Sequence, residues 1–265
     1  MDITKKEQVE EVLKKHNVKV IYHLASLLSA ACEKDNESAW HVNLNSIRIF
    51  LELSVAHKIK IFWASSVLAF GNSPNEAPQH TVMQPSSFYG ITKLSGELLC
   101  QYYHSKHALD VRVLRLPGIM STETLPGAGS TSYSTAMFYG AIQSGKYTCY
   151  LGEDSEIPMM FMSDSVQAII DIMKADGSKL TTRMGYNVCG FSLSPKKLAD
   201  EIRKRTPLEM DFEIDPIRQK IIDSCPNSLD CSAAKEDWGF TPKVSLSQMV
   251  DIMLKRIREK MEQSK

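Results

Sequence analysis

The stretch VKVIYHL, residues 18–24, is a short apolar run rich in β-branched residues and too brief for a helix. Two similar runs follow it, IKIFWAS at 59–65 and VRVLRL at 111–116. Between them, residues 36–57 and 86–107 repeat apolar side chains at the helical period, which predicts two long helices. Strands and helices alternating at this spacing predict an α/β fold with a doubly wound parallel sheet, covered by helices on both faces.

The segments on either side of this core predict a two-part organisation. Residues 4–16 have the pattern of an amphipathic helix with Thr4 as its N-cap, and Asn36 or Ser38 is expected to cap the helix over 36–57. A loop rich in Gly, Ser and Thr begins after residue 116, and further helices are expected near 133–144, 196–205 and 245–260. We therefore expect one domain over 1–120 and a smaller lobe over 121–265, interleaved with the end of the sheet.

Composition limits the classes of function. The 265 residues include 31 basic and 31 acidic side chains, and this balance disfavours a nucleic-acid partner. Eighteen consecutive apolar residues occur nowhere, so no membrane span is expected. The six cysteines are scattered without a C-x-x-C pair and the histidines lack metal spacing, which favours reduced thiols in an intracellular compartment and no metal site.

The sharpest chemical signal is Tyr89-Gly90-Ile91-Thr92-Lys93, because it places a phenol and an ammonium one helical turn apart. A lysine beside a tyrosine favours the phenolate and predicts a lowered Tyr89 pKa, as a general base for a substrate hydroxyl requires. The spacing alone is also compatible with a surface tyrosine beside a solvated lysine.

Two neighbouring strand ends support the chemical interpretation. Ser66 follows the strand over 59–65, where parallel sheets bind ligands, and its hydroxyl could hold the same substrate oxygen as Tyr89. The preceding strand ends in His23-Leu24-Ala25-Ser26, with small residues where a backbone must approach a cofactor. Asn43 lies in the helix that follows.

Taken in order, these motifs resemble a family. The runs H-L-A (23–25), S-S-x-x-x-F-G (65–71), Y-G-I-T-K (89–93) and R-L-P-G-I (115–119) are similar to those of extended short-chain dehydrogenases/reductases. P-G-A-G-S-T-S-Y (126–133) and P-M-M-F-M (158–162) resemble the short-chain type of L-threonine 3-dehydrogenase more specifically.

The resemblance implies a Rossmann NAD-binding domain with a small α/β substrate lobe. It implies NAD-dependent oxidation of the L-threonine β-hydroxyl to 2-amino-3-ketobutyrate, with Tyr89 as base, Lys93 tuning it and binding the nicotinamide ribose, and Ser66 orienting the hydroxyl. It also implies a homodimer formed through helices 36–57 and 86–107. The further residues it assigns to NAD are Asp2, Ile3, Leu24, Ala25, Asn43 and Ile119, and those it assigns to L-threonine are Ser29, Arg115, Ser130, Thr131 and Trp238, with Arg115 as a candidate for the carboxylate.

The sequence also departs from the family pattern. Ser132, Cys225 and Cys231 stand where the family usually has Asp, Trp and Asp. The earliest glycine is Gly71, so the glycine-rich turn that holds a pyrophosphate is not in this sequence. We therefore expect an N-terminally truncated Rossmann domain in which Val20-Ile21-Tyr22 forms an exposed edge, and weak or no NAD binding by this chain alone.

Two alternatives remain at this point. An NDP-sugar epimerase or dehydratase shares the Tyr/Lys core, and a catalytically inactive relative could retain only the ability to dimerise. Family members in animals are mitochondrial and those in bacteria cytoplasmic, so either compartment is compatible with the resemblance.

Overall fold

The structure, a computed structural model, describes residues 1–72, 75–123, 125–127 and 129–263. The strands are β1 Val20–His23, β2 Lys60–Ser66, β3 Glu76–Ala77, β4 Val111–Leu116, β5 Gly118–Met120, β6 Lys146–Cys149, β7 Ile157–Phe161, β8 Gly185–Asn187, β9 Phe191–Leu193, β10 Glu209–Phe212 and β11 Ser228–Leu229. The helices are α1 Lys6–Lys15, α2 Ser29–Lys34, α3 Asn36–Ala39, α4 Ser46–His57, α5 Phe88–His107, α6 Tyr133–Gln143, α7 Met162–Lys174, α8 Pro195–Arg203, α9 Pro216–Asp223, α10 Ser232–Trp238 and α11 Leu246–Gln263.

The central sheet has the order β1-β2-β4-β8, and all its pairs are parallel. The predicted α/β fold with a parallel sheet is therefore confirmed. Strand β1 lies at one edge, where it pairs only with β2 among the described residues, and its Val20 and Tyr22 side chains are exposed. The expected exposed edge is present at Val20 and Tyr22, whereas Ile21 between them is buried.

Helices cover both faces of this sheet. Ile61 and Trp63 of β2 pack into a cluster with Leu51 of α4 on one face. Phe62, between them in sequence, packs on the opposite face with Ile172 of α7. Burial on both faces explains why the strands are nearly continuous apolar runs rather than alternating ones.

A close approach between α5 and β2 sets the position of the site. A Cβ atom on Gly96 of α5 would overlap the indole ring of Trp63, so only glycine allows this packing distance. The approach brings the first turns of α5, which contain Tyr89 and Lys93, against the carboxyl end of β2.

The second half of the chain has its own core. Met137 and Phe138 of α6, Met159 of β7, Leu198 of α8 and Met253 of α11 belong to one buried cluster. This core surrounds the small sheet β5-β7-β9, in which β5 pairs parallel and β9 antiparallel to β7. Strand β8 and helix α7 nevertheless belong with the central sheet, and the domain boundary at residue 120 stays a prediction.

Two expected helix caps are wrong. Helix α1 follows Lys5, which makes no side-chain cap, because the Thr4 hydroxyl and N–H both donate to Asp2 Oδ1. Helix α3 is capped by Asp35, whose carboxylate accepts the Ser38 N–H, rather than by Asn36 or Ser38. At α3 the Asp35 carboxylate accepts a backbone N–H of the first turn, as carboxylates at the N-cap do.

The helix predicted over 36–57 is interrupted. A π-helical segment, Trp40–Asn45, separates α3 from α4. Ser46 Oγ donates to the carbonyl oxygen of Val42 and contacts His23 Nε2 at 2.9 Å. π-helical segments occur often at functional sites, and this one contains Asn43.

Candidate active site

A cavity of about 510 Å³ lies at the carboxyl ends of β2 and β4, bounded on the other side by the loop before α6. Parallel α/β sheets place ligands at this edge. Of the residues predicted from the sequence, the structure brings eight to the cavity wall: Leu24, Ser29, Ser66, Tyr89, Lys93, Ile119, Ser130 and Thr131.

The first turn of α5 fixes Tyr89 beside Ser66. Ser87 caps the helix by accepting the Gly90 N–H at 3.1 Å. A Cβ atom on Gly90 would overlap the Leu68 carbonyl oxygen, so the helix start presses on the 3₁₀ turn Val67–Ala69. Ser66 caps that turn, accepting the Leu68 N–H at 3.2 Å. The two predicted catalytic hydroxyls therefore share one wall of the cavity.

Lys93 is buried beneath Tyr89. Its ammonium donates to the carbonyl oxygen of Ala64 at 2.7 Å and lies 4.9 Å from the Trp63 ring centroid and 5.3 Å from that of Tyr89. Only 3% of the residue is exposed, and burial lowers the pKa of Lys93 to about 8. The strand end and the two rings thus hold a cation next to the phenol.

The predicted lowering of the Tyr89 pKa is wrong for the chain's own groups. Burial raises the pKa of Tyr89 to about 12, although side-chain hydrogen bonding with Ser66 and Ser26 opposes the rise. The Lys93 ammonium is directed at Ala64 rather than at the phenol oxygen, so it does not offset the loss of solvent. A further positive charge in the cavity would be needed to bring this pKa toward neutrality.

Asn43 holds the loop after β1, which forms part of the cavity wall. Its side-chain oxygen accepts the Leu27 N–H at 2.7 Å, and its amide nitrogen donates to the Leu27 carbonyl oxygen at 3.1 Å. This loop supplies Leu24, Ser26 and Leu28 to the cavity wall, whereas Asn43 itself is not part of that wall. Asn43 therefore positions this loop, and its contact with a cofactor stays a prediction.

Tyr150, which the sequence did not single out, holds the loop before α6. Its hydroxyl accepts the Tyr133 N–H at 2.7 Å and lies 3.2 Å from the Gly129 carbonyl oxygen and 3.3 Å from that of Ser130. Ser130 Oγ is in turn 3.4 Å from Ser29 Oγ across the cavity wall. One phenol therefore fixes the backbone of a segment that lines the cavity together with Tyr89.

Arg115 does not reach the cavity, which corrects its predicted contact with a substrate carboxylate. The residue is only 2% exposed, and its guanidinium pairs with Glu97 at 2.8 Å and donates to the Gln79 carbonyl oxygen at 3.0 Å and Asn187 Oδ1 at 3.1 Å. Glu97 also accepts from Ser65 and from the Gly185 N–H. Arg115 therefore holds α5, β4 and β8 together inside the protein.

Trp238 is also placed away from the cavity. Its indole packs edge-on against Tyr186, with ring centroids 6.1 Å apart, and against Phe240 at 5.4 Å. Its buried Nε1 has no hydrogen-bond partner among the described residues. Trp238 thus packs on the second face of the sheet and is not part of the described cavity wall, and its contact with the substrate stays a prediction.

Three predicted cofactor residues lie outside the cavity wall. Ile3 packs against the cluster under α1 and α4, and the Asp2 backbone N–H donates to Gln8. Ala25 is exposed in the loop after β1. None of the three lines the described cavity.

The wall's residues fit one end of a nicotinamide dinucleotide. Leu24, Val67 and Ile119 offer an apolar surface for a flat ring, and Tyr89 and Lys93 supply the polar groups for ribose hydroxyls. No glycine precedes Gly71 in the sequence, so these 265 residues contain no glycine-rich turn of the kind that holds the pyrophosphate of a dinucleotide.

The parallel sheet and the Tyr89–Lys93–Ser66 cluster at its carboxyl edge define the short-chain class of dinucleotide-dependent enzymes. The chain belongs to the NAD dependent epimerase/dehydratase family, whose model matches residues 1–189. No helix in the described ranges is both long enough and apolar enough to cross a membrane.

Three relatives show where the chain lies within this family. It is 40% identical to an uncharacterized epimerase/dehydratase of Staphylococcus haemolyticus, over all of this chain and 84% of that protein. It superposes on the L-threonine dehydrogenase of Clostridium difficile with a TM-score of 0.96 and 42% identity, covering 98% of this chain and 82% of the other. A monomeric L-threonine 3-dehydrogenase from a metagenome gives a TM-score of 0.95 and 35% identity, covering 98% and 85%.

Proposed function

We propose that the protein catalyses the NAD-dependent oxidation of L-threonine to 2-amino-3-ketobutyrate. The observation that supports this most is the cluster of Tyr89, Lys93 and Ser66 on one wall of a cavity of about 510 Å³. The similarity to L-threonine dehydrogenases at up to 42% identity supports the choice of substrate.

In this proposal Ser66 accepts or donates a hydrogen bond at the substrate hydroxyl and holds it against the Tyr89 phenol. Tyr89, ionised, takes the hydroxyl proton as the carbonyl forms. Lys93 stays positively charged near neutral pH, and in this proposal its ammonium, held by the Ala64 carbonyl oxygen, binds the nicotinamide ribose. Ser26 lies on the same wall and adds a second hydroxyl near the phenol.

NAD, when bound, supplies the hydride acceptor and a cationic ring beside Tyr89. Leu24, Ile119 and Lys93 would hold its nicotinamide riboside end. Because burial alone raises the pKa of Tyr89 to about 12, we expect the phenol to become an effective base only after the oxidised cofactor has entered.

The substrate carboxylate has a candidate receptor on the wall of the same cavity. The hydroxyls of Ser29, Ser130 and Thr131 face the cavity next to the N-terminus of α6. Hydroxyl donors and a helix N-terminus both favour an anion. This arrangement replaces the expected contact with Arg115.

The cavity is less suitable for a sugar nucleotide. A diphosphate is usually held by arginine or by several cations, and Lys93 is the one charged side chain on the described wall. This contrast favours a small substrate over an NDP-sugar.

We also propose that α5 and the α3–α4 region form a homodimer contact. Ile91, Leu98 and Tyr102 are exposed along α5, and Trp40 is exposed on the π-helical segment. Exposed apolar groups of this size favour self-association. Sedimentation velocity decides between a dimer and the monomeric state named for the metagenome relative.

Cofactor affinity and compartment remain proposals as well. We expect these 265 residues alone to bind NAD weakly, and micromolar affinity by calorimetry would contradict that. The staphylococcal relative favours a bacterial setting, and with it the cytoplasm rather than the mitochondrion.

The direct test follows NADH formation and product identity with L-threonine and, separately, with UDP-sugars, at NAD concentrations above the measured Kd. Production of 2-amino-3-ketobutyrate supports the proposal. Turnover of a UDP-sugar alone would replace it with the epimerase alternative, and a stable dimer without any turnover would support an inactive relative.

A further inference from the structure

The described cavity wall carries charge of only one sign. Lys93 is the one charged side chain on the described wall, and it is a cation. Apart from the Cys225 thiol, the other polar side chains on the wall are hydroxyls, among them Ser29, Ser130 and Ser132. An anionic group entering this cavity is favoured by both the cation and the hydroxyl donors.

The buried carboxylates nearest the wall are already engaged. Glu97 lies behind Ser65, from which it accepts a hydrogen bond, and it pairs with Arg115. Asp164 at the start of α7 accepts the backbone N–H groups of Lys243 and Val244, each at 2.9 Å. Neither carboxylate is part of the cavity wall in the residues that the structure describes.

An amino acid would therefore bring a cation into a cavity without a carboxylate to receive it. Apart from the Tyr89 phenolate, which binds the substrate hydroxyl in the proposed reaction, its ammonium would lose water and gain only neutral oxygens, with Lys93 as a like charge nearby. The carboxylate of the same substrate can interact with Lys93 and the hydroxyl donors. The uncompensated free energy of desolvation therefore comes from the ammonium alone.

We propose that the cavity accepts 3-hydroxycarboxylic acids without an α-ammonium group at least as well as it accepts the amino acid. This inference rests on the proposed dehydrogenase function and extends its substrate class. The chemistry at the reacting carbon is unchanged: the C–H bond breaks with hydride passing to NAD, the O–H proton passes to Tyr89, and the C–O bond becomes a carbonyl.

Ser132 offers a way to change the charge of the cavity. It lies on the cavity wall at the N-cap of α6, where its side chain makes no cap hydrogen bond. Aspartate is favoured at this position of a helix, so Ser132→Asp should fold and add the missing carboxylate. Ser132→Asn is the matched control, since it has nearly the same shape without the charge.

The experiment compares kcat/KM for L-threonine and (R)-3-hydroxybutyrate, the analogue with hydrogen in place of the amino group. For the natural sequence we expect the analogue to equal or exceed L-threonine. Ser132→Asp should shift the ratio toward L-threonine by about tenfold, as a charge-assisted hydrogen bond would, and Ser132→Asn should not. Saturation-transfer NMR with both ligands in competition gives the same comparison without turnover.

The outcomes separate the two proposals. A preference of the natural sequence for L-threonine above about tenfold, unchanged in Ser132→Asp, overturns this inference and leaves the dehydrogenase proposal intact. Oxidation of the analogue but not of L-threonine supports the inference and corrects the proposed substrate. If neither alcohol is oxidised, the proposed function fails, and an NMR preference for L-threonine would then overturn the inference as well.

Discussion

The ammonium of Lys93 donates to the carbonyl oxygen of Ala64 at 2.7 Å, while the Tyr89 ring centroid is 5.3 Å away. The strand end, not the phenol, therefore positions the cation. This relationship explains how the charge can be held in one place beside Tyr89 before any ligand enters. It also means that the folded protein contains a buried positive charge, which lowers its free energy of unfolding.

The cost of burying Lys93 predicts a pH-dependent difference between the natural protein and Lys93→Met. Since the folded pKa of Lys93, about 8, lies below its unfolded value, the penalty is full below pH 8 and disappears as pH rises toward the unfolded pKa. The stability of Lys93→Met relative to the natural protein should fall by at most about 2 kcal/mol between about pH 7 and about pH 9.5. Urea unfolding at both pH values measures it, and a constant difference would contradict the lowered pKa.

The pair formed by Glu97 and Arg115 predicts a large loss of stability on neutralisation. Glu97→Gln leaves the guanidinium buried without a counter-charge, which should lower the free energy of unfolding by about 3–5 kcal/mol. Glu209→Gln is the matched control, because Glu209 pairs with Lys146 at 2.6 Å on the exposed surface, where solvent screens the pair, and its loss should change the free energy of unfolding far less. Equal effects of the two variants would rule out a structural role for the buried pair.

The hydroxyl of Tyr150 predicts an effect on substrate affinity. Tyr150→Phe removes the contacts with Tyr133, Gly129 and Ser130, so the loop before α6 should loosen and KM for the substrate should rise about tenfold with a smaller change in kcat. Tyr147→Phe serves as control, since the Tyr147 hydroxyl bonds to no other described residue. A KM that is unchanged in Tyr150→Phe would show that the loop does not depend on this phenol.

The sequence predicts the parts of the fold that depend on local pattern. Strand β4 has the predicted bounds, because a short β-branched run that lies between two helical segments favours a strand over the whole run. Tyr89 and Lys93 meet because residues four apart share a helix face. Leu24, Ser66 and Ile119 reach the cavity because the ends of parallel strands gather at one edge.

The remaining features depend on contacts between distant segments. The pattern V-R-V-L-R-L does not predict that Arg115 forms an ion pair with Glu97 of another element. The hydrogen bonds of Tyr150 and Asn43 are likewise set by tertiary packing. The spacing of Tyr89 and Lys93 does not predict the sign of the Tyr89 pKa shift, because burial depends on many surrounding residues whereas the spacing shows only one neighbour.

The proton acceptor is tested most directly by Tyr89→Phe, assayed with L-threonine at NAD concentrations above the measured Kd, with unfolding free energy as the check on folding. Loss of the phenol oxygen should lower kcat by about 10² to 10⁴ while the protein remains folded. Turnover by the phenylalanine variant at the rate of the natural protein would contradict the assignment of Tyr89 as the base.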